Sequence, residues 1–332
     1  MAICNIDASF IDCNLKYKDL IPVIEECMAN FSRRIKGEIE QPVRTVVRAE
    51  NSDGSFFIMP VYSKKENIFI NKIVTVFPNN ASQGIPVHQS LLWLYSGSTG
   101  VPKAIMHCDS ITLMRTAAAS AVATKYLAPK NSKIHTILGA GGQAHSHLEA
   151  LAAICNFDDV RVWNHNYPKA EAFAKKHGVK AYQSAEEAVR GADVITLVTL
   201  ASTPVLFKDW VKEGAHINGT RILNYLVSQL SLLNLCLTIA VGAPVPFQQE
   251  IEPALMRAAV VYVDSLEGAL KESGDIIKSQ APVFGEIGEM ILGKVETKQN
   301  ETTIFKSLGM AMEDLVTANL VYNRFMQLQS ST

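Results

Sequence analysis

The chain has no excess of charge of either sign, no cysteine pair and no leader-like start, and each absence removes a class of protein. Thirty-one Lys and Arg against 32 Asp and Glu leave a net charge of −1 over 332 residues. That balance offers no electrostatic footprint for nucleic acid or an acidic membrane surface, so neither is expected as a partner. The six cysteines (Cys4, Cys13, Cys27, Cys108, Cys155 and Cys236) form no CxxC pair and stand at no zinc-like spacing from histidine. They read as reduced, mostly buried thiols of a cytoplasmic protein, with no metal site. Residues 1–7 lack the basic start and apolar core of a signal peptide. No repeat or low-complexity tract interrupts the chain, and the most polar patch, 294–303, reads as a surface loop. With 48% hydrophobic residues, the length suffices for one large or two ordinary domains with substantial cores.

What is present is concentrated at 134–144, IHTILGAGGQA. An apolar, β-branched run ends in Gly139-Ala140-Gly141-Gly142-Gln143-Ala144 and opens a helical pattern through His147, Leu148, Leu151 and Ala152. Strand, glycine turn and helix in that order form a dinucleotide-binding arrangement. Gly139 permits the tight turn, Gly141 lets backbone approach a pyrophosphate, and the helix N-terminus supplies free N–H groups. Ala144 stands at the third glycine position, which the pattern tolerates. A second strand is expected at 159–163, where an acid at its end would bind the ribose hydroxyls of NAD. Asn164-His165-Asn166 follows instead, with donors and no carboxylate to repel a 2′-phosphate. NADPH is therefore the expected cofactor, with room for NADH; the same three residues also suit a plain turn before the next helix.

Before residue 134 the pattern differs. Helical spacing at 20–31 gives way to short β-rich runs at 44–48, 55–60, 68–77, 87–95 and 104–108, separated by Gly, Pro, Asn and Ser, as in a meandering antiparallel sheet. Asp109 is expected to cap a helix over 110–126. From 134 onward, strands at 134–138, 160–163, 179–182, 194–198, 215–218 and 260–263 alternate with helices at 143–154, 169–176, 185–189, 253–258 and 267–271. A last amphipathic helix is expected at 309–326. The pattern predicts an α/β fold: a Rossmann-type doubly wound parallel sheet at 118–307, plus an α+β dimerisation and substrate domain at 1–117 completed by the C-terminal helix, 308–332. The apolar strands of the first domain, without helical cover of their own, require a partner.

Nine segments together resemble the ornithine cyclodeaminase/mu-crystallin family, nearest to its ketimine-reductase branch. They are QPVRTVV (41–47), MPVY (59–62), NKIVTVF (71–77), MRTAAASAVATKYL (114–127), ILGAGGQA (137–144), VTLAS (198–202), GAHIN (214–218), VDSLEGALKESGD (263–275) and FKSLGMAMED (305–314). They span nearly the whole chain in the family's order. The resemblance implies a homodimer that reduces cyclic ketimines (imino acids) to saturated cyclic amino acids with NADPH, together with binding of thyroid hormone. The alternative is a non-enzymatic, NADPH-gated carrier of that hormone or a related aromatic amino acid. It also implies residue roles: Lys72 in the chemistry, Arg44 and Glu272 in the substrate pocket, Arg115 and Thr116 at the cofactor and substrate carboxylate, and His88 against the cofactor. Gly139, Gly141, Gly142 and Gln143 match the phosphate loop, and Asn164, His165 and Asn166 the 2′-phosphate site. Thr199 and Leu200 match the loop over the dinucleotide, and Val241 and Ser307 the nicotinamide end. Two departures stand out. His165 replaces an arginine of the reductase branch, and Pro244 replaces a catalytic aspartate of the cyclodeaminases, which argues against ornithine deamination.

Imine reduction needs a carboxylate anchor, a hydride donor and a proton. Arg44 or Arg115 can clamp a carboxylate, Lys72 among Ile70, Ile73 and Val74 can serve as acid or base, and Phe77 can supply an apolar wall. Taken singly, each has a plainer reading: Lys72 as a solvated strand lysine, Arg44 as the partner of Glu40 or Glu50, Arg115 as an exposed helix residue. His145 and His147 are two apart, wrong for a metal pair, and read as surface residues at a helix start. His107 and Cys108 read as core, and Asp275 as a turn and cap.

Family members run directly from HIN to AVGA, whereas here 219–239, GTRILNYLVSQLSLLNLCLTI, intervenes. About 20 apolar residues can span a bilayer. However, Asn224, Ser228, Gln229, Ser231, Asn234 and Thr238 interrupt the run and Rossmann elements flank it, so no membrane span is expected. It reads either as an apolar helix with a polar stripe or as an intrusion, such as translated unspliced sequence, that lowers solubility and turnover.

Overall fold

Two sheets with different periodicities meet on one helix. A computed structural model describes residues 3–49, 54–199, 201–220 and 249–330. The first sheet comprises β1 (Cys4–Ile6), β2 (Ile39–Glu40), β3 (Thr45–Arg48), β4 (Ser55–Ser63), β5 (Ile68–Val76), β6 (His88–Ser96) and β7 (Pro102–His107), in the order β1-β7-β6-β5-β4-β2 with β3 also on β4. All pairings are antiparallel except β1 with β7. Alternation decides the faces: Met59, Val61, Ile68, Ile70 and Val74 point inward, while Phe69 and Leu91 stay 43% and 46% exposed. The inner face has the helical cover that the sequence did not suggest, from α1 (Ala8–Asn14), α2 (Tyr17–Ser32), α3 (Asp109–Leu127) and the C-terminal helix.

Helix α3 is buried at every residue from Arg115 to Thr124. Its Ala, Ser and Thr side chains let neighbours approach from all sides, which an ordinary one-faced helix does not permit. It starts at Asp109, not after it. Cys108 takes the cap position, because the Asp109 carboxylate accepts the Ser90 hydroxyl instead of capping.

The second sheet is wholly parallel: β8 (Ile134–Leu138), β9 (Asp159–Trp163), β10 (Lys180–Tyr182), β11 (Val194–Leu197), β12 (His216–Thr220), β13 (Val260–Val263), β14 (Val283–Glu286) and β15 (Thr303–Ser307), in the order β10-β9-β8-β11-β12-β15-β13-β14. The chain leaves β8 through β9 to β10, then returns to the other side as β11. The crevice at the carboxyl ends of β8 and β11 is thus a topological switch point, where open α/β sheets bind ligands. The connecting helices are α4 (Gly142–Ala152), α5 (Tyr167–His177), α6 (Ala185–Val189), α7 (Pro253–Ala258), α8 (Leu266–Glu272), α9 (Gly274–Ser279) and α10 (Ile287–Ile291), and α11 (Ala311–Ser330) ends the chain.

Strands β14 and β15 were not expected. The polar stretch ends before Thr303, which is buried in β15. Strand β12 continues through Gly219 and Thr220, paired with Lys306 and Ser307, two residues into the stretch read as inserted. Residues 221–239, with Leu200, Val241 and Pro244, lie outside the described residues. Among the described residues, no helix is long and apolar enough to cross a membrane, and Cys4, Cys13, Cys27, Cys108 and Cys155 are free thiols. One apolar cluster runs from Ile70 and Leu92 through Ala118 and Leu127 of α3 to Tyr262 and Phe305.

Candidate functional site

A cavity of about 480 Å³ opens between the two sheets. Lys72, His88, Asp109, Thr112, Arg115 and Thr116 form one wall; Gly139 to Gln143, Asn164, His165, Lys169 and Thr199 form the other.

The second wall fits a dinucleotide. Gly139 has φ +116°, and a Cβ there would stand 2.6 Å from the Val198 carbonyl oxygen. Gly141 has nothing within 4 Å of where its Cβ would be. It is the N-cap of α4 and no side chain caps the helix there, which leaves its N-terminal end open to an anion. Gln143 is buried with Oε1 unpartnered, an acceptor in want of a donor. His147, read as a surface residue, is fully buried behind this loop. Its Nδ1–H donates to the Gln143 carbonyl (2.8 Å), so its Nε2 accepts, from Ser120 Oγ at 2.9 Å. Burial pushes its pKa down to about 4, keeping it neutral. His107 in turn is exposed, while Cys108 is core.

At the far end Asn164 donates to the Asn166 carbonyl (3.1 Å), and Asn166 stands at the N-cap position of α5 without a side-chain cap and outside the cavity lining, so part of this trio does form a turn. His165 faces the cavity together with Lys169, which sequence reasoning missed. The signal was a cation in the first turn of a helix, where it opposes the dipole. Thr199 is held by Glu250, which accepts its N–H (2.9 Å) and hydroxyl (2.6 Å). Glu250 in turn meets buried Lys306 (3.5 Å), whose second partner is Asp275 at 2.7 Å. Ser273 does cap α9, with Asp275 in the first turn as read, but Asp275 is also a buried ion-pair member that accepts the N–H groups of Glu250 and Ile251.

The first wall carries the chemistry. Lys72 sits on the inward face of β5 and is 2% exposed. Its Nζ donates to Thr112 Oγ1 (2.7 Å) and Asp314 Oδ1 (3.0 Å). The Thr112 hydroxyl donates to the Cys108 carbonyl (2.8 Å), which fixes it as an acceptor towards Lys72. Arg115, far from being an exposed helix residue, is buried and donates from Nε to Asp314 Oδ1 (3.1 Å) and from Nη1 to Glu313 Oε2 (2.9 Å). Burial opposes the charge on Asp314, but Arg115 and Lys72 outweigh it and hold that carboxyl below the usual range. Burial drives Glu313 up to about 8. His88 faces the same space with its Nε2 buried and unpartnered, and burial lowers its pKa.

Four expected residues stand elsewhere. Arg44 pairs with Glu272 at 3.0 Å, not with Glu40, and both line an adjoining recess of about 200 Å³ that shares Leu308 with the main cavity. Phe77 lays its ring over Gly54, clear of the cavity wall. The Ser307 hydroxyl is spent on Asp264 Oδ2 (3.2 Å) behind the wall, where Asp264 also accepts the N–H groups of Leu308 and Gly309 at 2.7 Å. Among the described residues, no cluster of three or more His, Cys, Asp or Glu could hold a metal ion.

A glycine loop at the switch point of a parallel sheet, facing a buried lysine–carboxylate–arginine cluster, defines a Rossmann-type oxidoreductase of the nicotinamide-dependent class. The sequence matches the model of the ornithine cyclodeaminase/mu-crystallin family over 8–221 and 235–329. The chain belongs to that family. It is 45% identical to mouse ketimine reductase mu-crystallin over 306 residues, covering 92% of this chain and 91% of the relative. Its fold is similar to that of Thermococcus litoralis Δ1-pyrroline-2-carboxylate reductase in complex with NADH and L-proline (TM-score 0.86, 31% identity, 98% of both chains). It is also similar to an archaeal alanine dehydrogenase dimer with bound NAD (TM-score 0.85, 28% identity, 99% of this chain and 98% of that one). The gap in the family match, 222–234, is narrower than the insertion read from the sequence.

Proposed function

We propose that this protein reduces the C=N bond of a small cyclic imino acid to the corresponding cyclic amino acid. One observation carries the reading: Lys72 Nζ lines the cavity with two N–H groups committed, to Thr112 and Asp314, and the third left for a substrate nitrogen. The names of the relatives, a ketimine reductase and a pyrroline-2-carboxylate reductase, support it. Gly139, Gly141, Gly142, Gln143 and Thr199 would hold NADPH, which when bound would supply the hydride for the imine carbon. Lys72 gives its proton to the nitrogen, so C=N becomes CH–NH. Arg115, anchored through Nε and Nη1, turns its remaining amino group to the substrate carboxylate. We assign the substrate and dimerisation role to 1–117 with the C-terminal helix, and the cofactor role to 118–307. The test is nicotinamide oxidation by the full chain with Δ1-pyrroline-2-carboxylate. Oxidation must require the cyclic imine; equal rates with pyruvate and no amine would overturn the reading.

Cofactor choice follows from the far wall. His165, Asn164 and Lys169 present donors and no acid to a 2′-phosphate. One charge-assisted contact contributes about 1.5–3 kcal/mol, so NADPH is expected to bind at least about tenfold more tightly than NADH. His165→Asp should reverse the order. Fluorescence titration checks both, and equal or better NADH binding by the unmodified chain would contradict the assignment.

Assembly follows from the outer face of the first sheet. Val47, Phe69 and Leu91 are 54%, 43% and 46% exposed there. Ile58, Trp93 and Ile105 are half-buried on the same alternation. An apolar face of this kind requires a cover, and we assign it to a second copy. Light scattering should give a dimer at micromolar concentration; a stable monomer would refute this.

A second reading rests on the Arg44–Glu272 pair, whose opposite charges at 3.0 Å match the carboxylate and ammonium of an amino acid. In that reading the recess carries thyroid hormone or a related aromatic amino acid without turnover.

A further inference from the structure

Helix α11 closes the cavity from behind, and its first turn carries two fully buried acids, Glu313 and Asp314. Acids at a helix start favour the dipole, but these two point into the cations of the site. One oxygen, Asp314 Oδ1, accepts from both Lys72 Nζ (3.0 Å) and Arg115 Nε (3.1 Å). Glu313 reaches Arg115 alone of the two, through Oε2 at 2.9 Å. Asp314 Oδ2 and Glu313 Oε1 are buried without partners. Fold stability does not account for that arrangement, since half-satisfied buried carboxylates are costly and apolar replacements of buried ion clusters are often neutral or better. Neither acid lines the cavity; Lys72 and Arg115 both do.

We propose that Asp314 is a positioning residue. Its single oxygen sets the spacing between the proton donor Lys72 and the carboxylate clamp Arg115, so that a substrate held on Arg115 brings its imine nitrogen to Lys72. The assignment rests on the roles given to Lys72 and Arg115 above. Thr112 is fixed by the Cys108 carbonyl and holds the ammonium at a second point. With Asp314 neutralised, Lys72 keeps one anchor and Arg115 keeps only Glu313. The other two acids at this wall are engaged elsewhere, Asp109 with the Ser90 hydroxyl and Glu313 with Arg115, and neither is hydrogen-bonded to Lys72. Cys108 stays a thiol, its pKa pushed up to about 11 by burial, and burial lowers the pKa of His88, disfavouring its cation.

The test uses the full chain with Asp314→Asn, Asp314→Glu, Glu313→Gln and Lys72→Met. Asp314→Asn should lower kcat about 10- to 100-fold, the scale of a 1 Å misplacement, and raise KM for the imino acid. It should also move the alkaline limb of the kcat profile, because the cluster around the reacting nitrogen loses a negative charge. NADPH affinity should stay at the wild-type value. Asp314→Glu keeps the charge but displaces the oxygen, so kcat falls while the limb stays; this variant carries the test if the asparagine form does not fold. Glu313→Gln should act chiefly on KM and leave the limb in place. Wild-type kcat and an unmoved limb in both Asp314 variants would overturn the assignment. If Lys72→Met keeps turnover, the role of Lys72 itself fails; if Lys72→Met is inactive while both Asp314 variants match wild type, only the role of Asp314 fails.

Discussion

Lys72→Met is expected to lower ketimine reduction by about 10²- to 10⁴-fold, the usual contribution of a placed acid or base, with NADPH affinity near the wild-type value. The lysine stands on the wall opposite the glycine loop and makes no contact with it; its hydrogen bonds go to Thr112 and Asp314. Methionine preserves the volume of the stem, and Arg115 remains beside Asp314 at 3.1 Å, so the carboxylate is not left without a cation. The melting temperature should therefore fall by much less than removal of both cations would cause. Cofactor-binding and turnover assays on one preparation check this. Full turnover in the variant would show that the proton comes from another group. Binding of an aromatic amino acid by the unmodified chain, with no turnover of any cyclic imine, would favour the carrier reading.

Two alanine substitutions in the glycine loop should separate fold from binding. Gly139→Ala places a Cβ 2.6 Å from the Val198 carbonyl oxygen at φ +116°. Backbone strain of about 1–2 kcal/mol and overpacking of about 1–3 kcal/mol lower both the melting temperature and the NADPH affinity. Gly141→Ala meets nothing within 4 Å and has no positive φ, so the free protein should melt as wild type does. Its methyl group enters the space assigned to the pyrophosphate, and NADPH affinity should fall on its own. Thermal melts with and without NADPH read both effects. If Gly141→Ala binds NADPH as wild type does, the pyrophosphate does not sit there.

Sequence pattern alone located the glycine loop and its strand, because a β-branched run, a turn that only glycine makes and a helix are each local signals. The period-two alternation of β4 and β5 was equally legible, and it placed Lys72 on a strand. It did not say that the lysine faces inward, since the same alternation suits a solvated residue. What escaped was set by distance along the chain. Asp314 lies 242 residues from Lys72, and two acids opening a helix look like ordinary dipole partners. Strand β15 was hidden because Lys306 interrupts its apolar run; the lysine is tolerated there only because Asp275 and Glu250 meet it. His147 looked exposed because a histidine at a helix start usually is, and nothing local announces that Ser120 and Gln143 satisfy its ring. Arg44 was read as a substrate-pocket residue, with a nearby acid as the plainer alternative; its partner is Glu272, far along the chain, and the pair borders an adjoining recess.

The central claim, hydride delivery to an imine carbon in the cavity between the two sheets, is tested most directly by isotope transfer. The full chain would be incubated with Δ1-pyrroline-2-carboxylate and NADPH carrying deuterium at both nicotinamide C4 positions, and the amino acid formed would be analysed by mass spectrometry. The account predicts proline carrying one deuterium at its α-carbon, formed by the wild-type chain and lost in Lys72→Met. Proline without the label, or no proline while the chain still binds NADPH, would contradict it.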